Sequence, residues 1–161
     1  MSEDLDRVAR EIIDGNRYMV LGTADGNGRP WVSPAYYAPS GYSELYCVSS
    51  PQAQHSRNLA ARSELSIVVF DSQAPVGEGQ GVYMAAGAEQ LTGVTAERGI
   101  EVFSRVSVSH GEKPWAVEDV RDPAALRLYR ARVRALGARP GASARPTVAG
   151  PAVACGSCRH S

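Results

Sequence analysis

The chain has 161 residues, enough for one domain or one domain with a tail, and its 43% hydrophobic and 21% charged residues are ordinary for a globular protein. Seventeen Lys and Arg balance seventeen Asp and Glu, which argues against a general binder of nucleic acid or of anionic membranes. No apolar run reaches the roughly 18 residues of a membrane span, MSEDLDRVAR lacks the apolar segment of a secretory signal, and three cysteines make no disulfide framework. The expectation is therefore a cytoplasmic protein.

SEDLDRVAREIIDGN reads as a helix. Ser2 can cap it, Glu3 and Asp4 suit its positive end, and Leu5, Val8, Ala9, Ile12 and Ile13 share an apolar stripe that Gly15 closes. RYMVLGT and PWVSPAYYA read as strands joined by ADGNGR, whose Asp25-Gly26 and Asn27-Gly28 are hairpin chemistry. PSGYS is a second turn and ELYCVSS a third strand. A short helix opening at Ser50 leads to the strand ELSIVVFDS, and the glycine-rich QAPVGEGQG leads to a fifth strand, VYMAAGAEQLT. TAERGIEVFSRVSVSHG reads as a helix capped by Thr95. Tyr129, Ala131, Val133 and Ala135 then alternate with Arg130, Arg132 and Arg134, the period of a strand with one wet, basic face.

From Gly137 onward the chain is rich in Gly, Ala, Pro and Ser without periodicity. This divides it into a domain over 1–136 and a disordered tail over 137–161. Hairpins dominate and few helices separate the strands, so the fold class is mainly β (α+β), an antiparallel barrel with helical inserts rather than a parallel βαβ sheet.

The stretch SSPQAQHSRNLAARSELSIVVFD puts a polar cluster on the connection between two apolar strands. With Ser50 as cap and Pro51 in the first helical position, Ser50, Ala53 and Arg57 fall on one helical line and Ser49 and Ser56 on its neighbour. Arg57 would lean back over the opening turn, whose free amides carry the positive end of the helix dipole. Serine hydroxyls, free amides and a forked cation suit a phosphomonoester; an ordinary capped helix with an exposed arginine accounts for the same residues. His55 either donates to the same phosphate or is a surface histidine, and with His110 and His160 far from it in sequence no metal site is expected.

The helix, YMVLGTADGNGRPWVSPAYYA, ELYCVSSPQAQHSRNLAARSELSIVVFDS and GQGVYMAAGAEQLT follow one another in an order that resembles the pyridoxamine 5'-phosphate oxidase-like, FMN-binding split-barrel family, over about residues 5 to 135. The resemblance implies a split β-barrel of antiparallel Greek-key type that works as a homodimer with flavin at the subunit interface. Trp31, Val32, Ser33 and Pro34 would run along the flavin ring. Val48, Ser49, Ser50, His55, Ser56 and Arg57 would hold the ribityl phosphate, and Gln80 would reach the ring. Trp115 either closes the pocket from the partner subunit or is a core tryptophan. The C-terminal segment with which true pyridoxamine-phosphate oxidases grip pyridoxal phosphate has no counterpart here. After Leu136 the apolar, tryptophan-bearing strand of close look-alikes is replaced by Gly/Ala/Pro-rich sequence, as a diverged or frame-shifted C-terminus would produce.

No Ser-His-Asp spacing or phosphate-binding lysine motif is present, and Tyr36 and Tyr37 read as barrel packing before flavin or substrate lining. The resemblance implies that a flavin would perform the redox step and the protein would position it. The expectation is thus an FMN-dependent oxidoreductase acting on a small-molecule substrate, with no catalytic side chain assigned. Alternatives are a reductase using a deazaflavin coenzyme, whose longer acidic tail would engage Arg57 and Arg62, a non-enzymatic flavin or haem carrier with His55 or His110 as axial ligand, and a dimeric interaction module without cofactor. Cys155 and Cys158, with His160 close by, form a lone C-x-x-C without the second pair of a zinc site.

Overall fold

The computed structural model describes residues 2–134 and 147–149. Period-two alternation sets the barrel. In β1 (Tyr18–Ala24) Met19, Leu21 and Thr23 are buried. Leu65, Ile67 and Val69 follow suit in β5 (Glu64–Phe70), Val82, Met84, Ala86 and Ala88 in β6 (Gly81–Gln90), and Tyr129, Ala131 and Val133 in β7 (Arg127–Arg134). With Leu45 and Cys47 of β4 (Glu44–Ser49), their apolar members form one interior cluster. Burial pushes the Cys47 thiol up to about 12, so it packs as a small hydrophobe.

The sheet runs β2-β1-β5-β6-β7-β4-β3, every neighbour antiparallel. Its two ends, β2 (Pro30–Tyr36) and β3 (Ala38–Ser40), are consecutive in the chain and joined through Tyr37 alone. One long strand, bent at Tyr37, therefore lies against β1 with its first half and β4 with its second, and the sheet curls on itself as a split barrel. Tyr37 is buried and its hydroxyl donates to the Ile13 carbonyl, the packing role expected of it. The expected PSGYS turn is shorter: Pro39 and Ser40 pair with Leu45 and Glu44, and Gly41 and Tyr42 make the turn, both at φ 58.

The helix α1 (Ser2–Gly15) buries Ala9 and Ile13 against this interior, whereas Leu5 on the same stripe is exposed. α2 (Gln54–Ala61) crosses from β4 to β5. α3 (Gly93–Ser109) begins two residues before the expected Thr95 cap, after an extended Thr92. It seals the outer surface of β3, β4 and β7, where Ala96, Ile100 and Phe103 meet Tyr46, Leu91 and Leu128. Arg130, Arg132 and Arg134 alternate outward on β7 as expected, but the face is neutralised: Arg130 pairs with Glu89 and Glu44, Arg132 with Glu44 and Arg134 with Glu64.

The outer surface of the other half of the barrel is open. Paired residues share a face, so Val32, Gly22, Ser66 and Ala85 make one row across β2, β1, β5 and β6, and Pro34, Val20, Val68 and Tyr83 the next. Within the stretch expected as a tail, Thr147–Ala149 form β8, which pairs with Gly81–Tyr83 of β6 beyond the last β7 pair, Ala85 with Arg134. Cys155, Cys158, Arg159 and His160 lie outside the described residues. Among the described residues no helix is long and apolar enough to cross a membrane.

Candidate functional site

The ladder between β3 and β4 stops at Ala38 and Tyr46, and beyond it no ladder joins β2 to β4. α2 lies beside this split, packed on β1, β2 and β6, and Ser56, Asn58 and Leu59 are its buried residues. Its opening differs from the helix expected from Ser50. Ser50 Oγ accepts the Gln52 amide at 3.1 Å and the Ser50 carbonyl accepts the Ala53 amide at 3.1 Å, so Ser50–Ala53 is a separate turn and Pro51 sits where a turn favours proline. The first helical bond runs from the Arg57 amide to the Ala53 carbonyl at 3.0 Å. The cap is thus Ala53, which has no side-chain acceptor, and the amides of Gln54, His55 and Ser56 are left without helical partners. Arg57 belongs to the first turn, and the line through Ser50, Ala53 and Arg57 drawn for a continuous helix does not form.

His55 stands between the two sides of the split. Its Nδ1 lies 3.0 Å from Ser33 Oγ on β2 and its Nε2 2.8 Å from Ser49 Oγ at the end of β4. The ring is half-buried, and desolvation lowers its pKa, favouring neutral imidazole. A second chain of bonds anchors the helix: Asn58 Nδ2 donates to Thr23 Oγ1 at 3.0 Å, Gln54 Nε2 to Asn58 Oδ1 at 2.8 Å, and the Arg57 guanidinium to Gln54 Oε1 at 2.6 Å. Arg57 is exposed and forms no ion pair with a carboxylate among the described residues.

Ser56 supplies the test of whether a phosphate fits. The residue is 3% exposed and its Oγ has no hydrogen-bond partner among the described residues. A buried hydroxyl without a partner carries a desolvation cost that a ligand acceptor would remove. Beside it are unpaired amides at the positive end of a helix and a cation held only by a neutral amide. These donors match a phosphomonoester.

The other expected residues divide. Val48 is half-buried at the end of β4, beside Ser49. On β2, Ser33 pairs with Leu21 and Trp31 with Thr23, placing both on the interior side, while Val32 and Pro34 pair with Gly22 and Val20 and point to the open outer surface. What the four share is the backbone edge of β2 that faces the split. Gln80 is not brought to this group. It lies in the loop between β5 and β6, lining a cleft of about 420 Å³ with Val68, Phe70, Val76 and Tyr83 and with no residue of α2. Trp115 packs edge-on to Phe103 with ring centres 5.6 Å apart, beneath Lys113 Nζ at 4.0 Å, in the core position that was one of its two readings. Tyr36 bonds His110 Nδ1 at 2.7 Å, and burial raises its pKa. Thr23 was not singled out from the sequence, and Asn58 was expected only as part of the polar cluster, with no partner assigned; a polar residue four positions after Gln54 was the available signal for its bond.

The fold is similar to that of the heme storage protein HutZ from Vibrio cholerae, with 20% identity, a TM-score of 0.65, and coverage of 81% of this chain and 90% of that one. It is also similar to a heme binding protein from Mycobacterium smegmatis (22% identity, TM-score 0.63, 78% of this chain, 50% of that one) and to an FAD-binding protein from Mesorhizobium loti (21%, 0.59, 80% and 88%). At these identities the likeness is one of fold alone. No curated protein matches the chain. The family model for pyridoxamine 5'-phosphate oxidase, however, matches residues 5–139, from the first turns of α1 past the end of β7, and the chain belongs to that family.

Proposed function

We propose that the chain binds FMN at the split between β2 and β4 and acts, as a homodimer, as a flavin-dependent oxidoreductase on a small substrate. The observation that carries this reading is Ser56, buried with an unpartnered hydroxyl on the uncapped first turn of α2. Ser56 Oγ, the amides of Gln54 to Ser56 and the Arg57 guanidinium would hold the phosphate, with Val48, Ser49 and Ser50 closing that end. The backbone edge from Trp31 to Pro34 would lie along the ring. When bound, FMN supplies the hydride and electron chemistry; the chain binds it, orients it and shields it from water.

The open outer surface of β2, β1, β5 and β6 supports the dimer. Val32 there is 66% exposed, Tyr83 45% and Phe70 44%, an apolar area that a second copy would cover. Gln80 and its cleft lie on the same surface, so in a dimer Gln80 would approach the partner's ring. FMN is favoured over a deazaflavin with a longer acidic tail because Arg62 is turned away, donating to the Gly26 carbonyl at 3.0 Å.

The absorption spectrum of freshly purified protein, followed by titration of the apoprotein with FMN and with riboflavin, tests the reading. A flavin spectrum or saturable quenching of FMN fluorescence is expected, with FMN bound about tenfold or more tightly than riboflavin, the scale of a charge-assisted hydrogen bond to phosphate. A colourless protein that quenches neither overturns it.

A further inference from the structure

We propose that His55 is a positioning residue, a strut that couples Ser33 on β2 to Ser49 on β4 across the split and so sets the spacing between the strand edge offered to the flavin ring and the turn offered to its phosphate. The functional part of this proposal rests on the FMN reading above; the coupling of the two serines does not.

At this point in the barrel β2 is paired only with β1, Ser33 to Leu21, and β4 only with β7, Ser49 to Arg127. Their mutual register is carried through Tyr37 at one end, and no ladder joins them at Ser33 and Ser49. His55 is the residue whose side chain reaches both, at 3.0 Å and 2.8 Å. Imidazole suits the task because its two polar atoms lie on different sides of a rigid ring. In the neutral form one nitrogen donates and the other accepts, and a serine hydroxyl can do either, so both bonds form in either tautomer. Glutamine carries its donor and acceptor at the end of a flexible chain, so the fixed spacing that the ring imposes on the two serines is lost. The strut leaves His55 with neither ring nitrogen free, so its part in the site is to hold two hydroxyls in place rather than to meet the phosphate itself.

The test is a set of variants: Ser33→Ala, Ser49→Ala and the pair together, each in the natural background and with His55→Gln. Two quantities are read for each, the unfolding midpoint of the apoprotein and the dissociation constant for FMN. If His55 is a strut, losing either end releases it. Each single serine variant then weakens FMN by about tenfold, and the pair is no worse than about twofold beyond the singles, a strong departure from additivity. That departure vanishes in the His55→Gln background, and Ser33→Thr, which retains a hydroxyl, restores behaviour close to the natural protein. Serine effects that simply add, in both quantities, overturn the strut, as does coupling that persists with His55→Gln. Should the natural protein fail to bind FMN, the functional reading falls and the unfolding midpoints alone decide the coupling. Should FMN bind and respond to Arg57→Ala while the serines add, the strut falls and the cofactor reading stands.

Discussion

Asn58 Nδ2 donates to Thr23 Oγ1 over 3.0 Å, joining the middle of α2 to the interior face of β1 across 35 positions of sequence. Both side chains are buried, at 2% and 4% exposure, so neither has water to fall back on. Asn58 also accepts from Gln54, which accepts from Arg57, so the buried pair lies at the root of the chain that ends on the exposed cation. Thr23→Val keeps shape and removes the acceptor. It should cost about 1–3 kcal/mol of stability, the penalty for stranding a buried donor. Asn58→Ala should cost a similar amount, and the double variant less than the sum of the two. Urea denaturation of the four proteins measures this.

Arg57→Ala should weaken FMN binding by roughly 1.5–3 kcal/mol, or about 10- to 150-fold, through loss of a charge-assisted hydrogen bond to phosphate. The side chain is exposed and, among the described residues, hydrogen-bonded to Gln54 alone, so the unfolding midpoint should not move. Riboflavin, lacking the phosphate, should bind the variant and the natural protein equally. Fluorescence titration with both ligands checks the three statements together.

His55 predicts a direction for stability against pH. Burial holds its folded-state pKa below the unfolded value of about 6.5. Between those two values the unfolded chain binds more protons than the folded one. The contribution of neutral His55 is therefore complete above about pH 6.5, declines as pH falls through that window and is flat below it. His55→Gln should remove this component. Unfolding midpoints of the two proteins measured from about pH 4.5 to 8 should converge at the acid end.

Gly99 is where α3 approaches the barrel. A Cβ there would lie 2.9 Å from Leu128 Cδ2 and 2.9 Å from Tyr46 Cε1, both buried. Gly99→Ala gains about 1 kcal/mol of helix propensity and must displace both neighbours. Gly99→Val adds further atoms and should lose about 1–3 kcal/mol by overpacking. Thermal or urea unfolding should rank the natural protein above Gly99→Val.

The proposed dimer is testable on the open surface. Val32 pairs with Gly22, beside Ser66 and Ala85, in a row whose first charge is Arg134 at the far end, paired with Ala85. Val32→Glu would bury an unpaired carboxylate in any face-to-face contact there. Light scattering after size-exclusion chromatography should report a dimer for the natural protein and a monomer for the variant, with far-ultraviolet circular dichroism unchanged.

The strands, their order and the barrel class were legible because alternation and turn chemistry are local. Met19, Leu21 and Thr23 point inward whatever β1 pairs with, and Gly26 and Gly28 make a hairpin wherever it sits. Ser49, Ser56 and Arg57 stood out as a donor cluster for the same reason: three polar residues within a short span. Two things were not local. The helix start depended on whether the Ser50 hydroxyl served the helix or a turn, a choice between nearly equal hydrogen bonds that decided where Arg57 stands. The meeting of Ser33 with His55 depended on the barrel closing through Tyr37, which brings β2 and β4 to either side of one gap.

By itself, then, the sequence determined which segments up to β7 are strands and helices, which face of each is apolar and that a phosphate-suited group follows the third strand, since each rests on the chemistry of adjacent residues. Only the tertiary structure decided that β2 and β4 part at Ser33 and Ser49, that one imidazole reaches across to both, that Ser56 is buried without a partner and that Gln80 is held in a separate cleft. Those are consequences of register and closure, which are set by burying the whole barrel at once and by no short stretch of it.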